Sequence, residues 1–282
     1  MTVVGSRSTT RPYLPNGPEV GPAALFFADV GNRLGVAKRG VAVVGMLMVA
    51  LFTAAPALAV PPIEFGGPGE LAPPPSRVLM LGDSVGASLG DALKREFAAI
   101  GADFDYAGYP ATGPLTHQGE FWKAELAAKL DSYDPDYVLI QASGCYALFH
   151  DPPFIGAGGG EVVQGSSEFF DQWNAHVVDL IDQVQAHGAT AAVLTAPVTG
   201  SHALTHRFRS AHNFGYRLIA EATGAVLLDW NQLLAPDARF SETIETYGGE
   251  LRVREADGIH LTPAGVDLVA AWIAEAVSAP LG

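Results

Sequence analysis

Val78-Leu79-Met80-Leu81-Gly82-Asp83-Ser84-Val85-Gly86 is a short apolar run that breaks on a glycine and continues at once into an acid, a hydroxyl and a helix-like segment. The run is too short for a buried helix and ends on a turn signal, so it reads as a strand buried on both faces. The segment after it, up to Gly101, carries apolar residues at helical spacing. A strand whose carboxyl end feeds a helix belongs to an α/β fold, and ligands sit at that end of such sheets. Ser84 therefore stands on a sharp turn near the positive end of a helix dipole.

Outward from this stretch the alternation repeats. DFDYAGY (103–109) is expected to be a second strand, FWKAELAAKLDSY (121–133) a helix closed by Pro135, and DYVLIQA (136–142) a third strand. Residues 143–165 are long, glycine-rich and irregular, the mark of a functional loop or lid. Ser166 or Ser167 caps a helix running to Gly188, TAAVLTAPV (190–198) is a fourth strand, and 199–208 another loop. A helix over 209–224, a fifth strand AVLLDW (225–230), a polar stretch and a last helix (266–279) complete the chain. Continuous apolar strands alternating with helices predict a mostly parallel five-stranded sheet covered on both faces, a three-layer α/β/α domain over 77–282.

The residues before this domain are of another kind. Residues 1–36 lack periodicity and read as disordered, and 61–76 form a Pro/Gly linker that supports neither helix nor central strand. Between them, in residues 37–60, Lys38-Arg39 precede an uncharged run from Gly40 to Val60 that ends Ala57-Leu58-Ala59. A basic start, an apolar centre and an A-x-A ending are the parts of a secretory signal, although the run is also long enough to anchor in a bilayer. Cleavage after Ala59 is the expectation, and with it an exported protein. A start of translation near Val36 would leave a compact leader.

The 282-residue chain is nearly half apolar and only 16% charged, which excludes a disordered protein. From Val60 onward 11 Lys/Arg face 28 Asp/Glu. A surface of that sign repels nucleic acid and anionic lipid, so neither is an expected partner; a membrane contact would come only through the N-terminal run. The single cysteine, Cys145, excludes an internal disulfide. A monomer is expected.

A second chemical element lies just before the last helix, in Asp257-Gly258-Ile259-His260-Leu261-Thr262-Pro263. Thr262 followed by Pro263 is a helix start, so the acid and imidazole sit on the entering loop. A carboxylate three residues before a histidine can accept from Nδ1–H and leave Nε2 free as a base. A serine nucleophile needs such a base and a group that orients it.

Gly82-Asp83-Ser84 after a strand, paired with Asp257-x-x-His260 before the final helix, resembles the SGNH, or GDSL, hydrolase family. The resemblance spans residues 77–278 and implies a flavodoxin-like sheet and ester chemistry. It implies Ser84 as nucleophile, His260 as general base, Asp257 as orienting acid, and no cofactor or metal. It also implies an oxyanion hole made by the N–H groups of Ser84 and of a glycine, Gly113 or alternatively Gly108. The family's third block carries an asparagine after the third strand, and Cys145 stands there instead. A thiol is a weak donor and does not replace an amide. Cys145, Tyr146 and His202 fall in loops expected to line the cleft, and Phe149, His150 and Phe154 in the glycine-rich loop either shape a pocket or pack that loop. His202 and His206 have the spacing of a pair of metal ligands but lack the accompanying glutamate.

Gly82-x-Ser84-x-Gly86 also fits the nucleophile elbow of α/β-hydrolases, in which acid and histidine occupy separate loops. Hydrolysis of an O-acyl glycan or short-chain lipid ester is the main expectation. Transfer of the acyl group to a sugar, or a non-catalytic glycan-binding domain, are the alternatives.

Overall fold

The computed structural model of the chain describes residues 74–116, 119–143, 154–200 and 203–279. The expectations for residues 1–36, for 37–60 and for most of the 61–76 linker therefore lie outside the described residues.

The opening run forms β1 (Arg77–Gly82), and its alternate side chains divide between two cores. Leu79 and Leu81 join one apolar cluster, Val78 and Met80 the other. β2 (Asp103–Gly108), β3 (Tyr137–Gln141), β6 (Thr190–Leu194) and β7 (Val226–Leu228) complete a five-stranded sheet in the order β2-β1-β3-β6-β7. Every pairing in it is parallel, with Leu81 level with Ala107 on one side and Ile140 on the other. All five strands expected from the sequence are present.

Helices cover both faces. α1 (Ser84–Ala99) and α6 (Pro263–Ser278) bury Leu89, Leu93, Phe97, Val269 and Ile273 against the Val78/Met80 face. α2 (Gly119–Tyr133), α3 (Ser167–His187) and α4 (Ala203–Thr223) cover the Leu79/Leu81 face, with Trp122, Trp173 and Tyr216 fully buried. Local sequence sets the helix ends. Ser166 accepts from the Phe169 N–H at the start of α3, Gly188 ends it with φ +96°, and Thr262 caps α6 with Pro263 in its first turn.

The chain departs from the expected loops in three places. The glycine-rich stretch holds a hairpin, β4 (Phe154–Ile155) with β5 (Glu161–Val162), and the Ile155 N–H ties it to the Leu115 carbonyl after β2. The polar stretch after β7 holds a short helix α5 (Asn231–Leu234) and a second hairpin, β8 (Thr243–Thr246) with β9 (Gly249–Arg252). α4 begins at Ala203, so a helix occupies most of what reads as the loop 199–208. None of the described helices is long and apolar enough to cross a membrane.

In this strand order the chain leaves β1 toward β2 on one side and returns to β3 on the other. Such a reversal opens a crevice at the carboxyl ends of β1 and β3, the usual ligand position of an open α/β sheet. Ser84 starts α1 at that point.

Candidate active site

Asp83, fully buried, is the N-cap of α1. Its Oδ1 accepts from the Val85 N–H at 2.9 Å, while Oδ2 accepts from the Ser143 N–H (2.8 Å) and hydroxyl (2.6 Å) just past β3. A buried carboxylate is tolerated where hydrogen-bond donors surround it, as here. Gln141, the last residue of β3, turns its side chain under the same helix. Its Oε1 accepts from the Gly86 N–H at 2.8 Å and the Asp83 N–H at 3.2 Å. Gly86 leaves room for this side chain, since a Cβ there would lie 2.7 Å from that oxygen and push on it. The turn that bears Ser84 is thus fixed from below by two side chains rather than by its own sequence alone.

The loop that bears His260 is fixed as tightly. The Arg254–Leu261 bridge closes it, the Glu255 N–H donates to the His260 carbonyl (2.9 Å), and Gly258 turns it at φ +68°. Arg254, only 1% exposed, donates to the Ile259 carbonyl (3.3 Å) and the Val198 carbonyl (3.1 Å), joining this loop to the segment after β6. Burial, the Arg209 charge nearby and, in the other direction, Asp257 leave the Arg254 guanidinium lowered to about 10.

These two supports bring Ser84, His260 and Asp257 into one hydrogen-bonded chain. His260 Nε2 lies 3.1 Å from Ser84 Oγ, and Nδ1 lies 2.6 Å from Asp257 Oδ2. Asp257 Oδ1 accepts from the Ile259 (2.8 Å) and His260 (3.0 Å) N–H groups, which aims Oδ2 at the ring. Partial burial raises the Asp257 carboxyl, but hydrogen bonds from His260 and these two amides outweigh it and hold the group below the usual carboxylate range. An ionised Asp257 facing Nδ1 keeps the proton on that nitrogen, and Nε2 is left to accept from the Ser84 hydroxyl. The His260 and Asp257 side chains are 38% and 47% exposed, so the chain of groups opens to solvent.

The other expected residues stand differently. Gly113 lies in the turn after β2, where its N–H donates to Thr116 Oγ1 at 3.2 Å. Gly108 ends β2 and is accounted for by packing, because a Cβ there would lie 2.6 Å from that of Ala87 in α1. Phe154 is buried against Phe169 with ring centroids 5.1 Å apart, a core residue rather than a pocket wall. Cys145, Tyr146, Phe149, His150 and His202 lie outside the described residues. Among the described residues, no three His, Cys, Asp or Glu side chains gather as metal ligands do.

Sequence reasoning missed Gln141, Ser143 and Arg254. The available signal was a lone polar residue, Gln141, closing an apolar strand of which every residue is buried.

Residues 77–276 match the protein family described as "Protein of unknown function (DUF459)". No curated protein matches the chain. Among solved structures, a protein from Bacteroides fragilis described as "a putative acylhydrolase" is 14% identical with a TM-score of 0.52; the match covers 74% of this chain and 90% of that one. A catalytic mutant of an acetylxylan esterase from Geobacillus stearothermophilus is 13% identical with a TM-score of 0.50, covering 72% of this chain and 94% of that one. Both share the three-layer architecture, and the fold expected from the resemblance to SGNH hydrolases is the fold found.

Proposed function

Given that the chain belongs to the DUF459 family, we propose that it is an exported serine esterase that hydrolyses carboxylic esters, such as O-acyl groups on glycans or short-chain lipid esters. The observation that carries this reading is the contact of Ser84 Oγ with His260 Nε2 at 3.1 Å, with Asp257 at 2.6 Å behind the ring. Nucleophile, base and orienting acid then stand within hydrogen-bond reach of one another, as acyl transfer through serine requires. The architecture shared with an acetylxylan esterase agrees with it.

In the proposed reaction Ser84 Oγ attacks the ester carbonyl while its proton passes to His260 Nε2. The tetrahedral adduct places its negative oxygen near the Ser84 N–H. Collapse breaks the bond to the alcohol oxygen, which takes the proton from His260 and departs. Water then repeats the attack on the acyl-serine: His260 removes its proton, the acid leaves, and the proton returns to Ser84. Asp257 holds the ring throughout and stabilises the imidazolium in each half. A second oxyanion donor from Gly113 requires that its N–H leave Thr116 Oγ1. Export is supported by the basic, apolar and small-residue segments between Lys38 and Ala59.

Ser84→Ala tests the mechanism. Turnover of a short-chain nitrophenyl ester is expected to fall at least about 10³-fold while the melting temperature stays within a few degrees, as removal of a nucleophile in a preformed site does. A mutant as active as the parent would remove the mechanism. Adding an acceptor sugar to the same assay separates hydrolysis from transfer, since a rise in acylated sugar at the expense of free acid marks a transferase.

A further inference from the structure

The first turn of a helix carries amide N–H groups with no partner inside the helix. At the start of α1 they can be followed one by one. The Asp83 N–H donates to the Gln141 carbonyl (3.3 Å) and to its Oε1 (3.2 Å). The Val85 N–H goes to Asp83 Oδ1 and the Gly86 N–H to Gln141 Oε1 at 2.8 Å. The Ala87 N–H reaches the Asp83 carbonyl at 2.8 Å. The Ser84 N–H has no acceptor among the described residues.

Gln141 is fully buried, and the two N–H donors facing one end of its amide fix that end as the oxygen. Its Nε2 is buried without a partner among the described residues. Oε1 satisfies the buried Gly86 and Asp83 amides, whereas an amide nitrogen buried without a partner costs stability, so the side chain carries a gain and a cost together. The glycines make room for this side chain: a Cβ on Gly82 would come within 3.0 Å of Oε1, and one on Gly86 within 2.7 Å. The packing of the turn is therefore built around this amide oxygen and the two N–H groups it receives.

We propose that Gln141 is a positioning residue for the nucleophile, whose side-chain oxygen takes the neighbouring amides and leaves the Ser84 N–H alone to face the substrate oxygen. The proposal rests on Ser84 being the nucleophile. Anchored at Asp83 on one side and Gly86 on the other, the peptide of Ser84 has little freedom to rotate. Its N–H and its Oγ thus stay aimed at one point. With Cys145 in the position of the resembled family's asparagine, a larger share of oxyanion stabilisation falls on this one amide, and so on what holds it.

Gln141→Met tests it, because methionine keeps the volume and loses both acceptor and unpaired donor. Misplacing a reacting group by about 1 Å can cost about a hundredfold in rate, and a smaller displacement about tenfold. kcat on a nitrophenyl ester is expected to fall by that factor with KM within about twofold, and the labelling rate of Ser84 by a fluorophosphonate to fall with it. Gly86→Ala, which pushes on the same oxygen, is expected to reproduce the loss, and in the Gln141→Met background to add little, a coupling that independent sites do not show. Gln141→Glu keeps an oxygen acceptor and is expected to recover kcat to within a few-fold. Melting curves recorded alongside separate this from a folding defect. Wild-type kcat and labelling in Gln141→Met, or a loss accounted for by the unfolded fraction alone, overturns the positioning role. Full activity in Ser84→Ala instead removes the reading beneath it, so the two failures are distinct.

Discussion

His260 has two ring nitrogens with two different partners, and the backbone around it decides which does what. Asp257 Oδ1 is occupied by the Ile259 and His260 amides, so only Oδ2 faces Nδ1. Asp257→Asn removes the charge and lets an NH₂ compete for the position of Oδ2. With NH₂ toward Nδ1, the ring is driven to the tautomer that carries its proton on Nε2, which can no longer accept from Ser84. A loss in kcat of between about 10² and 10⁴ is expected, with KM and melting temperature little changed; the pair is half exposed, so its weight in stability is small. Steady-state kinetics on one ester checks this, and a loss below about threefold would take Asp257 out of the mechanism. Ser84, Asp257 and His260 were legible in the sequence because each sits in a short motif whose chemistry is local. Gln141 and Ser143 were not, because their partners at the Ser84 turn lie 55 to 60 residues away and nothing local announces the pairing.

At the scale of elements, the site depends on how closely the last helix approaches the loop before it. Gly265, in the first turn of α6, donates its N–H to Thr262 Oγ1 at 3.1 Å, and a Cβ there would collide with the Val253 carbonyl oxygen. That atom is backbone, so Gly265→Ala must push Val253 or the helix aside. Val253 leads directly into Arg254 and the Asp257–His260 loop. The substitution is expected to cost on the order of 1–3 kcal/mol, as overpacking does, and to lower kcat together with the melting temperature. Gly188→Ala is the control. It is strained by φ +96° but opens onto free space far from the loop, so it is expected to lower stability alone. Thermal melts and ester turnover on both variants check the contrast; equal kinetic effects would break the proposed link between α6 and the loop. The same scale explains what the sequence did and did not disclose about the fold. β1, β3 and β6 are buried runs whose composition permits little else, whereas β4–β5 pairs two residues a side amid glycines. β8–β9 is a mostly exposed hairpin carrying Glu245 and Glu250. Such hairpins depend on their surroundings and carry no periodic pattern of their own.

At the scale of the whole molecule, the two faces of the sheet differ in chemistry. The face under α1 and α6 buries the Gln141 amide beside its apolar side chains, while the face under α2, α3 and α4 buries two imidazoles. His212 is 1% exposed and sits among Trp173 at 4.5 Å, Phe170 at 5.1 Å and Phe169 at 5.9 Å. Burial, then the Arg209 charge, lowers it to about 3. His176 is lowered to about 4 by burial and by Lys123, against smaller opposing effects of Glu120 and Asp179. In the unfolded chain both titrate near the ordinary value of about 6.5. Between about pH 6.5 and 4 the unfolded state therefore binds more protons than the folded one, and stability falls as the pH falls through that window. The contribution is fully present above about pH 7. Shifts of this size are worth on the order of a few kcal/mol for each histidine, a large part of a typical domain's stability. Urea melts at pH 7.5, 6 and 5 are expected to show a steady loss that begins before carboxylates protonate. His212→Phe, which suits the surrounding rings and cannot take a proton, is expected to flatten that slope by roughly half. If the variant keeps the full pH dependence between 7.5 and 5, the buried imidazoles do not set the acid limit of the fold. Unfolding rather than activity is the quantity to follow, because the two buried imidazoles belong to the core and not to the Ser84–His260–Asp257 chain of groups.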